Sequence, residues 1–100
     1  MIFGLPDKTL TEIQQLLSQF PEVESAIIYG SRAKGNFKNG SDVDLVLSGE
    51  NLSFEILTKI GSKIDDLSTP YLFDLSILSM IENQQLLDHI KRVGKTLFHR

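Results

Sequence analysis

The chain has 100 residues, 41% of them hydrophobic, with ten basic and thirteen acidic side chains, a formal net charge of −3 and no cysteine. That length holds one core and leaves no room for a separate substrate-binding domain, so residues 1–100 read as a single domain. The missing cysteines exclude disulfide scaffolds, thiolate metal sites and thiol nucleophiles, and the acidic balance argues against non-specific binding to a nucleic-acid backbone.

The first element is a helix over 9–20. Thr9 and Glu12 have capping-box spacing, and Leu10, Ile13, Leu16, Leu17 and Phe20 recur at helical intervals up to Pro21. A strand over 23–29 follows, ended by Gly30, and residues 31–35 can hold one helical turn. The second strand, 42–47, lies between Asn39-Gly40 and Ser48-Gly49, with a mobile loop expected over 36–41. Leu57, Ile60, Ile64 and Leu67 mark an amphipathic helix over 53–67 that stops before Pro70. A third strand over 71–78 leads to a helix opened by Ser79 and Glu82, again at capping-box spacing, striped by Leu86, Ile90 and Val93 and capped by Gly94. Residues 95–99 add a short edge strand. No apolar stretch reaches the roughly 20 residues that span a bilayer and no signal pattern opens the chain, so a soluble cytoplasmic protein with no membrane partner is expected.

These elements give an α/β (α+β) fold, a small mixed sheet of three to four strands flanked by helices in the order αβ(α)βαβα(β). The full helix between the second and third strands suits a parallel crossover, which brings their starts to one edge of the sheet. If the first strand runs antiparallel to the second, Gly30-Ser31 arrives at that edge too.

The chemistry gathers there. Asp42 and Asp44 lie two apart in a strand, on one face, so they can share a cation while Val43 and Leu45 turn inward. Asp74 interrupts a mostly apolar strand, where a carboxylate is costly unless compensated. Three neighbouring acids must share protons or bind metal, and Mg²⁺ accepts such oxygen donors while keeping substrate phosphates in its shell. Two Mg²⁺ ions would reverse the local charge and suit a triphosphate. In the preceding turn, Gly30 permits close approach of a phosphate, Ser31 can hydrogen-bond it, and Arg32 and Lys34 offer cations, Arg32 with a fork that grips phosphate oxygens. P-loop spacing is absent.

Gly30-Ser31, ten intervening residues, Asp42-Val43-Asp44 and a later Asp74 resemble the signature of the DNA polymerase β-type nucleotidyltransferase superfamily. The fuller strings Gly30-Ser31-Arg32-Ala33-Lys34-Gly35 and Ser41-Asp42-Val43-Asp44-Leu45 resemble its minimal, single-domain members. The resemblance implies transfer of a nucleoside monophosphate from a nucleoside triphosphate, ATP first among them, with release of pyrophosphate. Asp42 and Asp44 would hold both Mg²⁺ ions, Asp74 would hold one and help activate the attacking hydroxyl, and Ser31 with the backbone around Gly30 would bind the β and γ phosphates. It further implies a partner: minimal members are encoded beside a helical HEPN-type toxin and act as its antitoxin by transferring AMP to a tyrosine of the toxin. A homo-oligomer that completes the site is the other arrangement open to so short a chain.

Competing uses of paired aspartates fit less well. An EF-hand would need a Glu where Ser53 stands, a haloacid-dehalogenase site has its apolar strand before the acids, and a glycosyltransferase needs a longer chain. A binding module that keeps the fold and neutralises a partner by contact is the alternative from another class. His89 and His99 are expected on a helix surface and at the terminus, in structural or solvent roles.

Overall fold

Four strands make one mixed sheet in the order β3-β2-β1-β4. β1 is Ser25–Tyr29, β2 Val43–Ser48, β3 Phe73–Ile77 and β4 Lys95–His99, and the helices are α1 (Asp7–Ser18), α2 (Ser31–Lys34), α3 (Phe54–Asp65) and α4 (Gln84–Val93). The computed structural model describes residues 2–38 and 40–100, so the Asn39 part of the turn before β2 lies outside the described residues. β1 pairs antiparallel with β2 and with β4, while β2 and β3 run parallel across the α3 crossover.

Side-chain alternation divides the sheet into two faces. Ala26, Ile28, Val43, Leu45 and Leu47 pack with Leu10, Ile13 and Leu17 of α1 and Ile60 and Ile64 of α3, forming the main core. Ile27, Tyr29 and Val46 point the other way, toward Leu86 and Ile90 of α4. Asp44, two residues before Val46, belongs to this second face. No helix among the described residues is long and apolar enough to cross a membrane.

Two local expectations change, and a third, the cap at Gly94, holds, its N–H donating to the Ile90 carbonyl at 2.8 Å. α1 starts at Asp7 after Pro6, an extended N-cap residue (φ −60°, ψ 149°) whose ring has no polar atom to offer, so Thr9 lies inside the helix and no side-chain cap is made. Ser79 does not open the last helix. The chain leaves β3 through a 3₁₀ turn over Leu78–Met80, and Asn83 caps α4 by accepting the Leu86 N–H at 3.1 Å. Gly94 follows α4 in an extended rather than left-handed conformation, φ −61° and ψ 143°, and runs directly into β4. Its missing side chain still matters, because a Cβ there would meet the Ile90 carbonyl and the Ile27 side chain.

Candidate functional site

The register of the sheet builds the site. Tyr29, the last residue of β1, pairs with Asp44, and Asp44 pairs in parallel with Asp74, so three side chains lie in one row on the face shared with α4. The row behind them is Ile27, Val46 and Ser76. Asp42 lies just before β2 and is exposed. The expected cost of a buried acid at position 74 does not arise: β3 is an edge strand, and Asp74 is exposed.

Gly30 turns the chain from β1 into the single-turn helix α2 with φ +75° and ψ −156°, a conformation open to glycine and few others. A Cβ there would collide with Oδ2 of Asp44, so the bare backbone of the turn presses against the carboxylate. Ser31 opens α2 half-buried beside it, and Lys34 is exposed.

Arg32 is placed differently from a surface cation. It is buried at 3% exposure. Its Nε and Nη2 donate to the Ser41 carbonyl at 3.1 and 2.9 Å, and Nη1 donates to the Phe3 carbonyl at 2.8 Å. The guanidinium also lies over the Phe37 and Tyr71 rings, 5.0 and 5.1 Å from their centroids. The fork expected to grip phosphate grips backbone carbonyls, and through Ser41 it holds the residue next to Asp42.

His89 belongs to the site although sequence reasoning sets it on a helix surface. Its Nε2 accepts the Gly30 N–H at 3.1 Å, and its ring stands edge-on to Tyr29, with centroids 6.1 Å apart and planes at 80°. The signal is present in the sequence: His89 lies three residues after Leu86 and one before Ile90, inside the arc of α4 that faces the sheet.

The electrostatics follow from this crowding. Burial raises the pKa of the Asp44 carboxyl above its ordinary value, Asp74 and Asp42 raise it further, and His89 pulls it back. The Tyr29 hydroxyl is likewise raised by burial and by the charges of Asp44 and Asp74, against a hydrogen bond with Ser76 that lowers it. Among the described residues no three acidic, histidine or cysteine side chains are already gathered closely enough to hold a metal ion. The donor chemistry nevertheless suits a hard divalent cation. All three acids are oxygen donors at one edge, and a cation would relieve the repulsion that raises Asp44.

Residues 11–100 match the family described as "Polymerase beta, Nucleotidyltransferase". No curated protein matches the chain. Among solved structures, a chain of a toxin–antitoxin complex with AMP-PNP superposes with a TM-score of 0.72 at 18% identity, covering 96% of this chain and 75% of that one. A chain of the MntA–HepT toxin–antitoxin complex gives a TM-score of 0.70 at 18% identity, covering 95% and 74%. A chain from the complex of a tri-AMPylated Shewanella oneidensis HEPN toxin with its MNT antitoxin gives 0.69 at 18% identity, covering 93% and 71%. At such identities the likeness is one of fold.

Proposed function

The chain belongs to the polymerase beta nucleotidyltransferase family, and from that premise we propose that it transfers AMP from ATP to a hydroxyl on a partner protein, a tyrosine of a HEPN-type toxin. The observation that carries the reading is the convergence of separate elements at one sheet edge: Asp42 entering β2, Asp44 in register with Asp74, and the Gly30 turn against the Asp44 carboxylate. Solved complexes of the same fold, one with AMP-PNP and one with an AMPylated HEPN toxin, support the choice of nucleotide and acceptor.

In the proposed reaction the acceptor oxygen attacks the α phosphorus, a new P–O bond forms, the bond to the β-phosphate oxygen breaks, and pyrophosphate leaves. Asp74, exposed at the edge strand, takes the acceptor proton. Asp42 and Asp44 would hold two Mg²⁺ ions, with Asp74 on one of them, and the bound ions would supply charge neutralisation to the entering and leaving oxygens. Ser31 and the backbone after Gly30 receive the β and γ phosphates, with the exposed Lys34 as the nearby cation. Arg32 contributes by holding Ser41, and with it the chain leading to Asp42.

The test is incubation of the chain with the product of its neighbouring reading frame, Mg²⁺ and α-labelled ATP. Label on a tyrosine of that protein, absent with Asp42→Asn, is the expected result. Full neutralisation of the partner by Asp42→Asn and Asp44→Asn variants, with no label from any of them, would replace the enzyme by a module that acts through contact alone.

A further inference from the structure

We propose that His89 is a positioning residue of the transfer site, which fixes the plane of the Gly30 peptide by accepting its N–H. The inference rests on the function proposed above for the Gly30 turn, but the contact itself stands on the geometry.

Gly30 occupies a conformation in which the local chain offers few constraints, since no side chain limits its torsions. Two neighbours supply what the chain lacks. The Asp44 carboxylate lies against one side of the residue, and Nε2 of His89 takes its N–H at 3.1 Å. His89 is itself held: Ile90 beside it is buried at 5% exposure against the sheet, and the Tyr29 ring meets the imidazole edge-on. The hydrogen bond assigns the tautomer, because Nε2 can accept only with its lone pair free, which leaves the proton on Nδ1. It also removes the Gly30 N–H from the donors open to a phosphate, so nucleotide contacts begin at Ser31. A single imidazole on α4 thereby ties the last helix to the turn that receives the nucleotide.

His89→Ala removes the acceptor, while His89→Gln keeps one, because a Gln Oε1 can reach the same N–H. In the nucleotide-free protein, the Gly30 amide followed by ¹⁵N NMR hydrogen exchange should be protected in wild type and His89→Gln and unprotected in His89→Ala. In the labelled-ATP transfer assay, His89→Ala should raise KM for MgATP about 10-fold with kcat within about 2-fold, and His89→Gln should recover most of the loss. Equal protection of Gly30 in wild type and His89→Ala overturns the proposal. So does an unchanged KM once protection is lost, or a kcat that falls alike in both variants while Gly30 stays protected in His89→Gln, which would make the imidazole a chemical participant. If wild type transfers no label to any acceptor, the proposed function falls, and the exchange experiment alone decides the contact.

Discussion

Asp44 and Asp74 sit side by side at one level of the sheet, on parallel strands joined by the α3 crossover. Neighbouring strands lie about 4.8 Å apart, so two like charges are held close by backbone pairing alone. Burial raises the Asp44 pKa and the Asp74 charge beside it raises it further, while Asp74 escapes burial by lying on the sheet edge. Asp44→Asn should therefore abolish transfer, by about 1,000-fold or more, while leaving the protein folded. Label transfer and thermal unfolding on the same sample check both halves; a variant that loses activity only because it unfolds would contradict the assignment.

The same residue predicts a stability profile. A carboxyl whose folded pKa lies above its unfolded value contributes stability that is complete below the unfolded pKa, about 4, and is lost as pH rises through the folded pKa. Wild type should thus lose stability, relative to Asp44→Asn, as pH rises from about 4 through the raised Asp44 pKa, and the two should converge at lower pH. Urea unfolding across that range in the absence of divalent ions measures it. A wild type that gains on the variant with rising pH would reverse the sign and refute the burial argument.

Adding Mg²⁺ should offset that loss. An ion that binds only the folded state raises its stability by mass action, and for a domain of this size a shift of roughly 5 °C in Tm corresponds to about 1 kcal/mol. The rise should appear with millimolar Mg²⁺ in wild type and be largely absent in Asp44→Asn. Equal shifts in both proteins would place the ion elsewhere.

Gly30→Ala combines a left-handed φ of +75° with a collision between the new Cβ and Asp44 Oδ2. The expected cost is about 2–4 kcal/mol in urea unfolding, with transfer lost even at temperatures where the variant stays folded, because the carboxylate must move. Retained activity in a folded Gly30→Ala protein would show that the turn and the acid are not in contact.

Arg32 separates a phosphate contact from a structural one. Its guanidinium serves the Phe3 and Ser41 carbonyls and is buried at 3% exposure, so Arg32→Lys, which keeps the charge and loses the fork, should destabilise by about 1–3 kcal/mol. Nucleotide binding should weaken only as far as the loop over 36–41 is disturbed. A stable Arg32→Lys protein with a large rise in KM for ATP would restore Arg32 to the phosphates.

The strands and long helices are legible because apolar periodicity states them directly, to within a few residues at each end. Convergence of the acids is legible only conditionally. Asp42 and Asp44 are neighbours in sequence, but the meeting of Asp44 with Asp74 depends on a register that no local pattern encodes. The edge position of β3 is hidden for the same reason, which makes Asp74 look more buried in sequence than it is. Arg32 reads as a phosphate contact because its partners in the fold, Phe3 and Ser41, are 29 and 9 residues away in sequence. His89 is legible in principle: the Leu86 and Ile90 spacing already turns it toward the sheet. Capping boxes at Thr9 and Ser79 mislead because the spacing recurs by chance, whereas Ser53, whose hydroxyl accepts the Ile56 N–H at 3.2 Å, caps α3 in fact.

The parallel pairing of β2 with β3 also makes the site a gauge of correct folding. Strand side chains alternate, so a slip of β3 by one residue would turn Asp74 toward the face packed against α1 and α3 and set Phe73 or Leu75 beside Asp44, neither of which offers a carboxylate. Such a misregistered molecule would set a carboxylate against α1 and α3, would present no second acid beside Asp44, and would be catalytically silent. Specific activity per folded molecule would then count the fraction of chains whose edge strand had docked in the right phase.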